Sequence, residues 1–119
     1  MNILLLFVGV IIVLIMFFLF LPKVMGVFKP WIRYVNKSYK YCRKGEYLKS
    51  IEFAKKALEI NPRSSEAWRL IGNTYEFIGD DMELVGDDYN AEKYHNKATE
   101  AWDKAKQINP NVSIPGYHR

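Results

Sequence analysis

The longest apolar run in the sequence is residues 3–21, which carry no charged and no polar side chain. A helix of these nineteen residues is about 28 Å long at 1.5 Å per residue, close to the roughly 30 Å hydrocarbon core of a bilayer. A single segment in lipid satisfies its backbone hydrogen bonds only as a helix. The pattern therefore predicts a transmembrane helix in residues 1–22.

We expect this segment to be a retained anchor and not a cleaved signal peptide. Met1 and Asn2 supply no basic n-region, and no small-x-small cleavage site follows Leu21. Five basic residues lie between Lys23 and Lys40, and residues 23–30 are expected to form a basic juxtamembrane linker. The positive-inside tendency then places the C-terminal domain in the cytoplasm and Met1 outside.

Beyond Pro30 the chain repeats itself. Tyr34, Ser38, Tyr41 and Gly45 recur 34 residues later as Trp68, Gly72, Tyr75 and Gly79. The segment from Lys49 to Pro62 recurs 48 residues later, where Ile108-Asn109-Pro110 matches Ile60-Asn61-Pro62. Apolar spacing and end signals predict a helix from Pro30 to Lys44, a turn at Gly45, a second helix that ends at Asn61-Pro62, and a third helix capped by Ser64.

These positions resemble the tetratricopeptide repeat (TPR), a 34-residue helix-turn-helix unit. The resemblance implies an all-α fold in which the transmembrane helix precedes two TPR-like hairpins, residues 31–64 and 65–110, and a C-terminal tail, residues 111–119. The residues at the family's packing positions are Tyr34, Ser38, Tyr41, Ala57 and Pro62 in the first copy, and Trp68, Gly72, Tyr75, Ala98, Trp102, Ala105 and Pro110 in the second.

The second copy contains fourteen extra residues between its two halves. Gly79-Asp80-Asp81 recurs as Gly86-Asp87-Asp88, and apolar residues continue at helical spacing through Val85. We expect each helix to be longer by seven residues, about two turns, with a third helix from about Ser65 to Val85, a turn at Gly86-Asp87, and a fourth helix from an N-cap at Asp88 to Ile108. The alternative is a helix that ends at Ile78, followed by an acidic loop.

The residue patterns of catalytic and metal sites are not found. The acidic residues near Gly86 lack the ligand order of an EF-hand, and Cys42 has no histidine or CxxC partner. His95 sits among Lys93, Asn96 and Lys97, which indicates a helix surface. We therefore expect no enzyme activity, no cofactor and no metal.

The resemblance implies that the first helices of the repeats line a concave groove that binds extended peptides. Arg69 and Asn73 match a pair that some family members use to grip a C-terminal carboxylate, whereas the equivalent residues of the first copy, Val35 and Tyr39, do not. Arg69, Asn73 and Tyr39 are the predicted groove residues, and plain surface polarity is the alternative for the first two.

The small number of repeats and the uneven distribution of charge along the chain are compatible with three functions. Two repeats are fewer than the three that such arrays usually need, and the tail is too short for a capping helix, so the last hairpin is expected to need a covering neighbour. The leading hypothesis is a non-catalytic accessory subunit of a larger integral-membrane complex. The alternatives are a membrane tether or assembly factor that recruits a soluble partner through the groove, and a sensor of anionic lipid.

The net charge of +4 is relevant mainly to the hypothesis that the protein senses anionic lipid. Positive charge gathers directly after the anchor, whereas residues 76–103 are acid-rich, so we expect contact with the bilayer and with proteins and none with nucleic acid. Arg33, Lys37, Lys40 and Lys44 share one helical face, and topology signalling alone is their simpler interpretation. Homo-oligomerisation is not signalled, because the anchor has no small-xxx-small pair.

Overall fold

The computed structural model describes residues 3–27 and 29–115, and all regular structure in these residues is helical. The elements are α1 (Ile3–Val27), α2 (Pro30–Arg43), α3 (Tyr47–Ile60), α4 (Ser65–Leu84) and α5 (Asp88–Ile108). The predicted all-α class is confirmed. Three predictions fall on residues outside this description: the position of Met1 relative to the membrane, the linker at residue 28, and the tail at residues 116–119.

Helix α1 is long and apolar enough to cross a membrane. Its segment Ile3–Phe20 has a mean hydropathy of 3.5, and all of these side chains are exposed. A membrane anchor and a signal sequence share this form. The helix continues through Pro22 to Val27, so that residues 23–27, expected to be linker, are helical. A proline inside a helix removes one hydrogen bond, and its ring crowds a carbonyl group of the preceding turn, so helices often end near a proline, but α1 continues past Pro22.

The other four helices form two antiparallel hairpins, α2–α3 and α4–α5, which pack side by side through α3 and α4. Each hairpin turns at a glycine with a left-handed backbone, Gly45 with φ +78° and Gly86 with φ +79°. This conformation is costly for any residue with a Cβ atom. The predicted turns and the long second hairpin are confirmed, and the alternative acidic loop after Ile78 is wrong.

One predicted helix cap is confirmed and another is wrong by one residue. The Ser64 hydroxyl accepts a hydrogen bond from the backbone N–H of Ala67 at 3.2 Å, as an N-cap does. At the start of α5 the cap is Asp87 and not Asp88, because the carboxylate of Asp87 accepts the N–H of Asn90 at 3.1 Å. Asp88 is instead the first residue of the helix.

Alanines and a buried chain of hydroxyl groups let the helices approach closely. Ala54, Ala57, Ala98 and Ala105 are completely buried. The Ser50 hydroxyl lies 3.1 Å from that of Ser38 and 3.2 Å from that of Thr74, so that α2, α3 and α4 meet at one polar contact. Ser38 also donates to the Ser50 carbonyl and Thr74 to the Leu70 carbonyl, which satisfies these buried groups.

Aromatic rings fill the spaces between the helices at the expected repeat positions. The rings of Tyr34 and Tyr41 both stack with Phe53, at 6.3 and 5.2 Å between ring centroids. Trp102 packs against Gly72, where an added Cβ would lie 2.3 Å from the indole ring. The two prolines of the predicted packing set, Pro62 and Pro110, are exposed. They follow the helix ends without filling the core, because a proline cannot continue a helix.

The segment after α5 covers the side of the second hairpin that was expected to need a neighbour. Val112 and Ile114 are buried in one cluster with Trp102, Ala98 and Ala105. The Lys106 ammonium group donates to the Val112 carbonyl at 2.6 Å and holds this segment in place. This short segment therefore covers part of the apolar surface that a capping helix would cover.

Candidate protein-binding site

The difference in length between the two hairpins creates a step at their turn end. Helices α4 and α5 have 20 and 21 residues, whereas α2 and α3 have 14 each. The second hairpin therefore overhangs the first by about two helical turns. The turn of the first hairpin faces the overhanging helices across a cavity of about 480 Å³. Its lining combines the charged pair Glu46 and Lys49 with large apolar and aromatic side chains, Tyr47, Leu48, Ile78, Met82 and Tyr94. We name this cavity the notch.

The walls of the notch are fixed by aromatic packing. The Tyr47 ring stacks on Phe77 at 6.0 Å, and the Tyr94 ring stacks on Tyr75 at 6.0 Å. Burial, followed by the nearby negative charge of Asp81, raises the pKa of the Tyr47 hydroxyl above its usual value. Tyr47 is thus a neutral hydroxyl group at neutral pH, and the wall that it forms carries no charge.

Large apolar side chains are exposed in the notch and at the turn of the second hairpin. Leu48, which lines the notch, is 81% exposed, and at that turn Leu84, Val85 and Tyr89 are 85%, 76% and 80% exposed. Scattered exposed leucines are common in soluble proteins, but an exposed apolar side chain in a concave apolar surface is typical of a site of interaction. The arrangement offers apolar contact to a protein segment. Within the described residues, its lining holds no pair of groups arranged as a nucleophile and a base.

The structure engages the predicted groove residues in contacts of their own. The Asn73 side-chain oxygen accepts a hydrogen bond from the Trp102 indole N–H at 3.0 Å, and Arg69 forms an ion pair with Glu66 at 2.7 Å. Tyr39 is 52% exposed, and the Arg43 guanidinium lies 5.7 Å from its ring. Arg69 and Asn73 lie on α4, and within the described residues no hydrogen bond, ion pair or ring contact joins either of them to Tyr39 on α2. Their role in binding stays a prediction.

The four basic residues predicted to face lipid, Arg33, Lys37, Lys40 and Lys44, are all exposed. Two of them also pack on aromatic rings, with Lys37 at 5.4 Å from the Phe53 ring centroid and Lys44 at 5.7 Å from that of Tyr41. Such cation–π contacts at exposed sites contribute about 0.5–1 kcal/mol each. Two residues of the basic face therefore stabilise the first hairpin, independently of any contact with lipid.

His95 was expected at a helix surface; its side chain is 26% exposed, and its ring also contacts the neighbouring helix. Its ring lies between α4 and α5, with Nδ1 at 2.9 Å from Glu76 and Nε2 at 3.0 Å from Glu83. The hydrogen bond to Glu76 is the main cause that raises the pKa of His95, against the opposing effect of burial. Glu76 and Glu83 lie two helical turns apart on one face of α4. His95 reaches that face because α5 packs antiparallel to α4, and the sequence spacing alone does not show this contact.

Comparison with known proteins agrees with this geometry. Residues 53–85 match the family model of the tetratricopeptide repeat, across α3 and α4. The chain is a TPR-like protein.

One curated relative gives a more specific similarity. The chain is 32% identical over 75 residues to the Photosystem I assembly protein Ycf3 of Synechococcus sp. (strain CC9605). The match covers 63% of this chain and 43% of that relative, so the chain spans less than half of the relative's length. No solved structure matches the chain. The TPR-like repeats and this similarity indicate a protein–protein interaction module.

Proposed function

We propose that this TPR-like protein is a membrane-anchored, non-catalytic interaction protein that holds a segment of a partner protein in the notch. The observation that carries the proposal is the notch itself, a concave apolar surface lined in part by the exposed Leu48. Its walls are rigid helices of a TPR-like fold. Such a surface gives affinity by burying apolar side chains and does not need to perform chemistry.

The anchor in this proposal is α1, whose exposed apolar surface suits lipid or the helices of integral-membrane subunits. The basic residues that follow it favour a cytoplasmic position for the hairpins and an outside position for the N-terminus. Partners held by such a protein are confined to the membrane surface. The raised local concentration then strengthens any second contact that the partner makes.

We further propose that the protein acts in the assembly of a membrane complex. The similarity to a Photosystem I assembly protein supports an assembly role over that of a permanent accessory subunit. The two roles differ in stoichiometry, because a permanent subunit is present in the finished complex at a fixed ratio and an assembly factor is not. Quantitative mass spectrometry of the purified complex separates them.

The test of partner binding uses two exposed apolar residues of α3 that lie at opposite ends of that helix. Leu48 lies at the notch, whereas Ile60, which is 46% exposed, is the last residue of α3. The full chain is purified from its native membranes in mild detergent as wild type, Leu48→Asp and Ile60→Asp. We expect Leu48→Asp to lose a partner that the wild type and Ile60→Asp both keep.

Two other results would move the binding site or reject it. Loss of the partner in an Arg69→Ala/Asn73→Ala variant, with Leu48→Asp unaffected, would place binding in the predicted groove. A chain that retains no protein partner and binds anionic vesicles in a salt-sensitive way would replace the proposal by the lipid-sensor function.

A further inference from the structure

Three residues on two helices place metal-ligating atoms together between the elongated parts of the second hairpin. Glu76 and Asp80 lie one turn apart on α4, and His95 faces them from α5. One carboxylate oxygen of each acid and a ring nitrogen of His95 all lie within 4.8 Å of one another. On the ring, Nδ1 lies 2.9 Å from Glu76, whereas Nε2 lies 3.0 Å from Glu83, one turn further along α4, and 3.9 Å from Asp80.

Gly79 makes room for the imidazole ring in this position. A Cβ atom at residue 79 would lie 2.7 Å from Cε1 and 2.8 Å from Nδ1 of His95, closer than real contacts allow. A glycine inside a helix costs about 1 kcal/mol relative to alanine, and here it lets the ring lie against the backbone of α4. The position of the ring is therefore built into the packing of two helices, unlike that of a side chain free in solvent.

The chemical types of the ligand atoms, one imidazole nitrogen and two carboxylate oxygens, indicate which kind of ion would bind. An imidazole with carboxylates suits zinc and other divalent first-row transition ions, whereas magnesium and calcium prefer oxygen donors alone. Ligands bonded to tetrahedral zinc at about 2.1 Å lie roughly 3.4 Å apart. Glu76 and Asp80, whose side chains are 37% and 55% exposed, have space to close from 4.8 Å to that distance.

The surrounding charge also favours a cation. Three carboxylates, those of Glu76, Asp80 and Glu83, lie within 4 Å of one imidazole, so the group is negative even when His95 is protonated. A divalent ion would offset this negative charge.

We infer that Glu76, Asp80 and His95 form a binding site for a zinc-like divalent transition ion. With the ion on Nδ1, the ring nitrogen nearest to Glu76, the carboxylate of Glu83 would hold Nε2, as a carboxylate commonly does for a histidine that binds a metal. Solvent completes the coordination. The ion joins α4 to α5 in the overhanging turns beside the notch and so holds the two helices together.

The test measures zinc binding to the full chain in mild detergent, purified without a histidine tag. Isothermal titration with zinc chloride at pH 7.5 is expected to give one site per chain. Asp80→Asn is the decisive variant, because Asp80 lies 3.9 Å from the ring and the closer pairs of His95 with Glu76 and Glu83 are untouched. We expect Asp80→Asn and His95→Gln each to weaken zinc binding by at least about tenfold.

Matched controls separate this site from general attraction of zinc to acidic protein. Asp81→Asn changes the same charge at the next residue, which is not one of the three ligands, and Cys42→Ser and His118→Gln remove the other side chains to which zinc binds strongly. All three are expected to bind zinc as the wild type does, and millimolar magnesium is not expected to displace it. A folded wild type that binds no zinc would overturn the inference, as would an Asp80→Asn variant that binds as tightly as Asp81→Asn.

Discussion

Gly72 and Gly79 are both buried glycines of α4, yet the same substitution to alanine is expected to affect them differently. An added Cβ at Gly72 would lie 2.3 Å from Cδ1 and 2.4 Å from Nε1 of Trp102. Trp102 is only 6% exposed and packs against Val112 and Ile114, so its ring can shift only towards the cavity of about 170 Å³ that it lines with Asn73 and Pro115. The alanine therefore displaces a core side chain.

The size of the effect follows from three contributions. Overpacking a core costs about 1–3 kcal/mol. The displaced indole also loses its hydrogen bond to Asn73, at about 1 kcal/mol. The higher helix propensity of alanine stabilises the folded variant by about 1 kcal/mol. The net loss is about 2 kcal/mol, which lowers the unfolding midpoint of a domain of this size by roughly 8–16 °C.

Thermal unfolding of the full chain in detergent measures this loss when it is followed by near-ultraviolet circular dichroism, because that signal reports the packing of the aromatic side chains, Trp102 among them. Gly79→Ala is the matched control. Its Cβ would meet the His95 ring, whose side chain is 26% exposed and has solvent to move into. We expect Gly79→Ala to lie within about 1 kcal/mol of the wild type. A Gly72→Ala variant as stable as Gly79→Ala would refute the close packing of α4 on α5.

Two further predictions follow from single side chains. Asp87→Ala removes the N-cap of α5 and should destabilise the protein measurably, whereas Asp88→Ala should destabilise it clearly less. Equal losses in chemical denaturation would contradict the assignment of the cap. The folded-state pKa of His95 lies above its ordinary value of 6.5, so the stabilisation from its pairs with Glu76 and Glu83 is complete below pH 6.5 and is lost as the pH rises through the raised pKa. The stability difference between wild type and His95→Gln should therefore shrink from pH 5.5 to pH 9, and an unchanged difference would contradict the ion pairs.

Much of the fold was predictable because local signals and the internal repeat agree. Gly45 and Gly86 mark turns that only glycine adopts easily, and Ser64 precedes a helix that it caps. The addition of seven residues to each helix keeps the facing stripes in register, and this predicted the long α4 and α5. The cap of α5 was misplaced by one residue because Asp87 and Asp88 are equally good caps by type.

The candidate sites were less predictable because they depend on contacts between elements. The notch exists because one hairpin is longer than its neighbour, and only their alignment shows that Leu48 faces Met82 and Tyr94. His95 was assigned to a surface from its sequence neighbours, whereas its partners lie 12 and 19 residues away on α4. One signal was present in the sequence: Gly79 within a helical pattern indicated that another group approaches the backbone there.

Site-specific photo-crosslinking in native membranes tests most directly whether the notch holds a partner at the membrane. A photoreactive phenylalanine derivative replaces Leu48 in one variant and Ile60 in another, and each full chain is irradiated in its own membranes. We predict that Leu48 gives a defined adduct with one protein, that Ile60 does not, and that the adduct stays in the membrane fraction after an alkaline wash. The proposal would be contradicted by an absence of adduct at Leu48, by the same adduct from both positions, or by release of the chain from the membrane.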